Sequence, residues 1–384
     1  MNPTLQTPRR GRSRRLAGSA LAGALAIVAA ACGGGDDRAA ETTVPATTAA
    51  PETTEAPETT VPETTAAPTT AATTPPTTLP PTTTTEPVIP RMPLTGQVLA
   101  DGQVPPDRPA LVVKIDNNRR ARPQSGLNEA DIVFEEVVEA GTRFAVVFHS
   151  GNSNPVGPIR SGRTQDIDLL GALNQPLFAW SGGNAIVERA IADSDFVDLN
   201  PRSHGGLYRR QGGNPKPHNF YSDTDKLFAA AGPDATGRPV PIFAYFKPGE
   251  VPAGAPANQV DLKMDANTVR WDFDPGFGGY VRTTDGRAHN DGLNGQRVST
   301  TNVVILETPY RPSFADANSP EAVTIGGGRA WVVSGGVVRE GSWMRNARSD
   351  GFALFDAAGA AIPLQPGRTW VELADPIDGV PAIG

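Results

Sequence analysis

The chain has 384 residues, a formal net charge of −7 and one cysteine. Five arginines lie in residues 9–15 with no acidic residue beside them, so the rest of the chain is more acidic than the total shows. Such a chain is a poor binder of nucleic acid, because neutralisation of phosphates by Lys and Arg supplies most of that affinity. A single cysteine excludes an intramolecular disulfide framework and a zinc site built on several thiolates.

The N-terminus has the order of residues that directs a bacterial protein to export. The basic stretch is followed by an apolar run over 16–31, then by Cys32 and three glycines. This order is typical of a signal peptide, and the run is shorter than the roughly 20 residues that span a bilayer. The small residues before Cys32 resemble a lipobox. We therefore predict a signal peptide over 1–31, a lipid on Cys32, and attachment to the extracytoplasmic face of the cell membrane. A plain cleaved signal with an incidental cysteine is the alternative.

Residues 32–90 have the composition of a stalk. Thr, Pro, Ala and Glu dominate in near-repeats such as Pro51-Glu52-Thr53-Thr54. Few large apolar side chains are present, so burial cannot offset the entropy cost of ordering, and we predict a disordered spacer. Frequent proline favours extended polyproline II. The folded part is expected to begin near Arg91.

The pattern over 91–235 predicts a domain of mixed α/β structure. Runs of β-branched and aromatic residues predict strands at 111–115, 132–138, 144–148 and 176–180. Amphipathic stretches with N-terminal caps predict helices at 164–173, 185–192 and 223–231. Interleaved strands and helices are typical of a domain that packs both around one core.

A Gly- and Pro-rich stretch over 236–260, with a strand-like segment at 242–246, predicts a connection between domains. From 261 to 384 the predicted elements are short strands separated by turns, at 269–273, 303–306, 330–333, 352–355 and 369–373. His289 and Asp291 fall in a Gly-rich stretch that predicts a surface turn. The predicted fold class is therefore α+β, with a mixed α/β N-terminal domain and a β-rich C-terminal domain.

Motifs that would identify a reaction are missing or incomplete. The sequence contains no P-loop, nucleophile elbow or dinucleotide fingerprint. Its four histidines have no metal-ligand spacing, so we expect neither a metal nor another cofactor. Glu135 and Glu139 would share a strand face, but a rise of ~3.3 Å per residue places them about 13 Å apart. Paired catalytic carboxylates lie roughly 5 to 9.5 Å apart.

The candidate site residues are charged or titratable side chains on apolar strands or Gly-rich loops of the first domain: Asp116, Arg122, Glu135, Glu139, Arg143, Arg160, Arg163 and His218. Burial of such groups is costly without partners. We therefore predict that at least three of five lie within about 8 Å of one another, with Glu135 bonded to an arginine; the five are Arg122, Glu135, Arg143, Arg160 and His218. Two interpretations stay open. The groups either form a closed ion-pair network, or they line a cleft in which guanidinium groups hold an anionic or polyhydroxylated ligand.

Several runs of residues resemble the YerB-like lipoproteins, a bacterial family of unknown function with an N-terminal and a C-terminal domain. In the first domain these include Ala121-Arg122-Pro123-Gln124-Ser125-Gly126, Gly157-Pro158-Ile159-Arg160-Ser161 and Pro217-His218-Asn219. In the second they are Gly341-Ser342-Trp343 and Pro366-Gly367-Arg368-Thr369-Trp370. The similarity spans nearly the whole folded region from residue 108. This chain departs from the family at Trp180, where the family has histidine, and at Ala140, where it has glycine. The resemblance implies export and a two-domain fold, and it implies no activity.

The sequence therefore favours a lipid-anchored envelope protein that is not an enzyme. Its partners would be the membrane, through Cys32, and cell-wall material or another envelope protein, through the first domain. The alternative is an envelope hydrolase or transferase in which His218 works with Glu135 or Asp116 as acid and base. A position of His218 within hydrogen-bond reach of a carboxylate in an open cleft would favour that alternative.

Overall fold

The computed structural model describes residues 89–233 and 235–384. The predicted signal peptide, the predicted lipid on Cys32 and the predicted stalk before residue 89 lie outside the described residues. In the part of the chain that the structure describes, no helix is long and apolar enough to cross a membrane.

The described chain is built mainly from strands. Its α-helices are α1 (Gln165–Leu169), α2 (Ala185–Ala192) and α3 (Thr224–Ala229). The strands up to residue 233 are β1 (Leu111–Asp116), β2 (Ile132–Val138), β3 (Gly141–Phe148), β4 (Leu177–Ala179), β5 (Val197–Asp198), β6 (Arg209–Arg210) and β7 (Phe220–Tyr221). The later strands are β8 (Ala255–Pro256), β9 (Gln259–Met264), β10 (Asn267–Asp274), β11 (Gly279–Thr284), β12 (Arg287–Ala288), β13 (Ser299–Thr300), β14 (Asn302–Glu307), β15 (Tyr310–Pro312), β16 (Pro320–Ala322), β17 (Gly326–Ser334), β18 (Val337–Arg345), β19 (Ala353–Phe355), β20 (Thr369–Ala374) and β21 (Ala382–Ile383). Single 3-10 turns lie at Arg119–Ala121, Gly171–Leu173, Gly205–Leu207 and Pro376–Asp378.

One large sheet contains strands from both halves of the sequence. Its eleven strands follow the order β19-β18-β17-β14-β20-β2-β3-β1-β4-β5, with β8 paired to β18. At its centre β2 pairs in parallel with β20, so that Ile132 lies opposite Thr369 and Glu135 opposite Glu372. The ranges 91–235 and 261–384, predicted as separate domains, thus contribute neighbouring strands to the same sheet. The division of the chain into these two domains stays a prediction.

A second, six-stranded sheet packs on one face of the large sheet. Its order is β12-β11-β10-β9-β21, with β13 paired to β11. Aromatic side chains pack where the two sheets meet. The ring centroids of Trp271 of β10 and Trp370 of β20 are 5.2 Å apart across the sheets, and Phe144 of β3 lies beside them with its centroid 5.1 Å from that of Trp370; both pairs are edge to face. Buried aromatic pairs of this kind stabilise a core beyond the burial of their area alone. The opposite face of the large sheet is covered by α1, α2 and the segment at 242–243.

Strand alternation divides the charged residues of β1, β2 and β3 between these two faces. Directly paired residues of antiparallel strands point to the same face, and successive residues point to opposite faces. Glu135 pairs with Phe144 and therefore faces the second sheet. Glu136, Arg143 and Asp116 form a row across the three strands and face the helical side. The candidate residues consequently fall into separate groups.

The fold is mostly β, so the α+β prediction is right only in part. The predicted strand at 132–138 and the predicted helix at 185–192 have the observed bounds. The predicted helix at 164–173 is a single α-helical turn followed by a 3-10 turn, and the segment at 242–246 belongs to no strand. Tertiary contacts hold the segment at 242–246 in place: the stacked rings of Phe243 and Phe352, for example, have their centroids 6.0 Å apart. Short segments of this kind are stabilised by packing rather than by the regular structure that their sequence predicts.

The prediction of a surface turn at His289 and Asp291 was wrong, because both side chains are buried. The Asp291 carboxylate accepts hydrogen bonds from the backbone N–H groups of Leu127 at 2.7 Å and Asn128 at 3.1 Å. His289 Nε2 lies 2.8 Å from Oε1 of Gln124. These bonds join the second sheet to the loop between β1 and β2. The hydrogen-bond partners of His289 and Asp291 lie more than 160 residues away in the sequence, so the local sequence pattern could not predict them.

Candidate functional site

A group of polar side chains, which we call the Asp116 cluster, lies at the C-terminal end of β1 on the helical side of the large sheet. It consists of Asp116, Glu139, Arg143, Arg160, Arg163 and His218. Main-chain hydrogen bonds bring the segment 158–160, which follows β3, alongside β1. The N–H of Asp116 donates to Pro158 O, and the N–H of Arg160 donates to Lys114 O, both at 2.9 Å. The register of β1 and β3 places Arg143 directly opposite Asp116.

The carboxylate of Asp116 is the centre of this cluster. Its Oδ2 lies 2.7 Å from Nδ1 of His218 and 3.4 Å from Nε of Arg160. Its Oδ1 accepts a hydrogen bond from the N–H of Asn118 at 3.0 Å. Asp116 is 4% exposed, whereas Arg160 is 28% exposed. The carboxylate is therefore buried beneath side chains that reach solvent.

Arg143 is the least satisfied member of the cluster. Its Nε and Nη1 atoms are buried and have no hydrogen-bond partner among the described residues. Burial, together with the positive charges of Arg163 and Arg160, lowers the pKa of Arg143 to about 10 in spite of Asp116. A guanidinium that is withdrawn from water and left unbonded raises the free energy of the fold. The cluster thus holds a donor with spare hydrogen-bonding capacity.

Arg163 and Glu139 form the outer edge of the cluster. Arg163 Nη2 donates to Glu139 Oε2 at 2.5 Å, and the Ser319 hydroxyl donates to Glu139 Oε1 at 2.7 Å. Burial alone would raise the pKa of Glu139, but these two hydrogen bonds outweigh it and lower the pKa to about 2. Both side chains line a cavity of about 270 Å³ that also includes Ser161 and Asn184. Glu139 lies just beyond the end of β2, so it does not share a strand face with Glu135 as predicted.

Beneath the cluster lies an ionic group that the sequence did not single out. Lys114 is fully buried and forms ion pairs with Glu136 and with Asp166, the latter at 2.7 Å. Burial lowers the pKa of Lys114 to about 8, and Asp166 opposes this effect. Asp166 lies in the predicted helix at 164–173 and is not among the candidate site residues. The signal that could have found the group is the lysine within an otherwise apolar strand.

Glu135 belongs to a different group on the opposite face, which we call the sealed triad: Glu135, Arg282 and Glu372. Arg282 of β11 donates from Nη2 to Glu135 at 2.5 Å and from Nη1 to Glu372 at 2.9 Å. All three side chains are 0% exposed. Trp271 also donates its indole N–H to Glu372 at 2.9 Å. This triad is closed to solvent and joins both sheets.

Arg122 lies in neither group. Its Nη1 donates to Asp285 Oδ2 at 2.8 Å, and its Nε donates to Asn117 Oδ1 at 3.2 Å. Of the five residues predicted to gather, Arg143, Arg160 and His218 therefore meet at Asp116. Glu135 does bond to an arginine, but this is Arg282 of the second half of the chain. Sequence reasoning missed Arg282 and Glu372 because neither stands near Glu135 in the sequence.

These features define a class of mostly β protein in which two sequence halves share one sheet, with a solvent-reaching polar cluster on one face and a sealed ionic triad on the other. Two family models match the chain: the "Protein of unknown function (DUF3048) N-terminal domain" over residues 94–236, and the corresponding C-terminal domain over residues 260–371. The chain belongs to this family, which is the YerB-like family that the sequence resembles.

A relative and a solved structure agree with this assignment. "Putative lipoprotein YerB" of Bacillus subtilis is 29% identical over 301 residues, which cover 75% of this chain and 87% of the relative. The crystal structure of the YerB protein from Bacillus subtilis matches with a TM-score of 0.66 at 25% identity, over 77% of this chain and 99% of that one. Trp180, where the resemblance predicts a histidine, is buried and donates its indole N–H to Asp198 at 2.7 Å.

Proposed function

We propose that this protein is a lipid-anchored envelope protein that binds an anionic or polyhydroxylated group of cell-wall material at the Asp116 cluster. The anchor would be the lipid on Cys32, at the extracytoplasmic face of the membrane. The observation that carries the binding proposal is Arg143, whose buried Nε and Nη1 have no hydrogen-bond partner among the described residues. Guanidinium groups bond carboxylates and phosphates through paired N–H donors, so an anion would satisfy this side chain.

The surroundings of Arg143 support a ligand from solvent. Arg160 and Arg163 lie close enough to lower its pKa, so an anion there would be attracted by three guanidinium groups. Glu139, at the edge, is 36% exposed, in contrast to the sealed triad on the other face. The cluster therefore has an open side, where a ligand can displace water without disrupting the core.

A second candidate, acid–base catalysis, is favoured by the contact of 2.7 Å between His218 Nδ1 and Asp116. When Nδ1 donates to a carboxylate, Nε2 becomes the basic atom of the ring, as in hydrolases that activate a nucleophile. Among the described residues no serine or cysteine is hydrogen-bonded to His218, so a water molecule would be the nucleophile. His218 is 12% exposed, which leaves the ring accessible at its edge.

The test titrates soluble peptidoglycan fragments, which carry carboxylates and sugar hydroxyls, into the purified full chain by isothermal calorimetry. Arg143→Gln should weaken binding at least tenfold. Arg329→Gln, which changes an exposed arginine of β17, should stay within twofold of the unmodified chain. Equal affinity of Arg143→Gln and the unmodified chain, or no binding of any fragment, would contradict the proposal.

The same fragments distinguish binding from catalysis. After prolonged incubation with the full chain, mass spectrometry should show them unchanged if the protein only binds. Cleavage that is lost in His218→Asn, while fragment affinity stays within about threefold, would establish the second candidate instead. Cleavage that persists in His218→Asn would exclude His218 as its base.

A further inference from the structure

A second cavity lies on the other side of the loop that follows β1. It has a volume of about 480 Å³ and lies between the 3-10 turn Arg119–Ala121 and the hairpin of β11 and β12. The side chains that matter for its chemistry are Arg119, Arg122, Asp285, Arg287 and His289. No member of the Asp116 cluster lines it, so it is a separate site.

The lining carries more positive than negative charge. A single carboxylate, Asp285, accepts from Arg122 Nη1 at 2.8 Å and from Arg119 Nε at 3.1 Å. Arg287 pairs with Thr284 through its main chain, but its side chain forms no hydrogen bond or ion pair with any described residue. Three guanidinium groups thus face one carboxylate. In a concave site with low-dielectric walls, such an excess attracts anions more strongly than the same charges on a flat surface.

The inner wall of the cavity is held by hydrogen bonds, whereas the arginines at its mouth are exposed to solvent. Arg122 is held by Asp285 and by two bonds to Asn117, from Nε to Oδ1 and from Nη2 to the carbonyl O, both at 3.2 Å. Arg119 is 76% exposed, and Arg287 is also exposed. A donor held in place at the base, with solvent-exposed arginines at the rim, can bind a ligand without reorganising the core.

His289 forms part of the wall but adds no charge. Its Nδ1 lies 3.1 Å from Thr284 Oγ1, and its Nε2 lies 2.8 Å from Gln124 Oε1. Burial, followed by the positive charges of Arg282, Arg122 and Arg297, lowers the pKa of His289 well below its ordinary value. The positive charge of the cavity therefore comes from the arginines and should not change between pH 6 and pH 8.

We propose that this cavity binds a phosphate ester, with the phosphate held between Arg122, Arg119 and Arg287. An excess of two positive charges matches a phosphate monoester dianion better than a carboxylate, and arginine forks fit phosphate oxygens in pairs. The cavity is much larger than a lone phosphate, so the rest of the ligand would be an esterified alcohol that occupies the remaining space. The ester can come from a soluble molecule or from a lipid headgroup.

The test measures binding of glycerol 3-phosphate and of inorganic phosphate to the full chain by isothermal calorimetry. The double variant Arg119→Gln/Arg287→Gln should weaken glycerol 3-phosphate binding at least tenfold. Arg120→Gln removes an exposed arginine of the same turn that does not line the cavity; it should stay within twofold. Both changes lie on the surface, and thermal denaturation checks that each variant folds.

A parallel arm uses vesicles of phosphatidylcholine with and without phosphatidic acid, whose headgroup is a phosphate monoester, and measures co-sedimentation of the same variants. All of them share the basic residues 9–15, so only a difference between the double variant and Arg120→Gln reports on the cavity. Binding to glycerol 3-phosphate identifies a soluble source, and a difference seen only with phosphatidic acid vesicles identifies a lipid headgroup. If neither probe distinguishes the double variant from Arg120→Gln, the cavity is not a phosphate site.

Discussion

The sealed triad predicts a specific dependence of stability on pH. Burial, and then the negative charge of Glu135, raise the pKa of Glu372 from 4.5 to about 8, while Arg282 opposes them. The folded protein therefore keeps a proton on Glu372 over a range where the unfolded chain has lost it. The contribution of Glu372 to the free energy of unfolding should be most favourable below about pH 4.5 and should fall as the pH rises towards 8.

The substitution Glu372→Gln removes this dependence. Glutamine has the shape of a protonated glutamic acid, can accept from Trp271 and Arg282, and can donate an N–H where the acid has its proton. At about 1.4 kcal/mol per unit of pKa, the difference between 4.5 and about 8 corresponds to at most about 4 to 5 kcal/mol. The variant should match the unmodified chain near pH 5 and exceed its stability by several kcal/mol near pH 9.

Urea denaturation of the full chain at intervals from pH 5 to pH 9 measures this difference. Glu340→Gln, an exposed change on β18 where the carboxylate lies 3.9 Å from Arg329, is the matched control and should give a constant small difference. Groups outside the sealed triad titrate alike in all three proteins, so the difference between Glu372→Gln and the unmodified chain reports on the triad. A difference that stays constant with pH, or that grows towards acid, would refute the reasoning.

Three further predictions concern the anchor, the start of the fold and the contact between sheets. Cys32→Ser should move the protein from the membrane fraction to the soluble fraction on cell fractionation; retention of the variant in the membrane would argue against the lipid. Limited proteolysis followed by N-terminal sequencing should leave a resistant fragment that begins between residues 85 and 105, and a fragment beginning before residue 60 would contradict the predicted stalk. Asp291→Asn should lower the free energy of unfolding by about 3 kcal/mol, because charge-assisted bonds to backbone N–H groups weaken together; an unchanged urea midpoint would show that the contact contributes little.

Elements with strong periodicity were predictable from the sequence. The strand at 132–138 is a dense β-branched run, and the helix at 185–192 has an apolar side and an N-cap, Asn184, whose side chain accepts from two backbone N–H groups. The nine-residue strand β18 was missed, because Gly341 and its polar neighbours do not form an alternating apolar pattern. Such a strand is specified by its partner β17 rather than by its own sequence.

The site was predictable only as a set of residues that need partners. Charged groups on apolar strands identified Asp116, Arg143 and Glu135, since burial of charge demands compensation. The identity of the compensating group could not be inferred, because strand pairing across the two halves decides it. The division of the candidate residues between the two faces of the large sheet depends on strand register. A turn at 139–140 ends β2 before Glu139, so this side chain does not follow the alternation of the strand.

The position of β20 has a consequence for how the chain can fold. Among the strands of the large sheet it comes last in the sequence, yet it lies in the middle of that sheet, between β14 and β2. Until residues 369–374 arrive, β2 has an open edge and the sealed triad lacks Glu372. Contacts between such distant segments form slowly, because a long loop must close first. The large sheet of such a chain remains incomplete until the residues of β20 have been made.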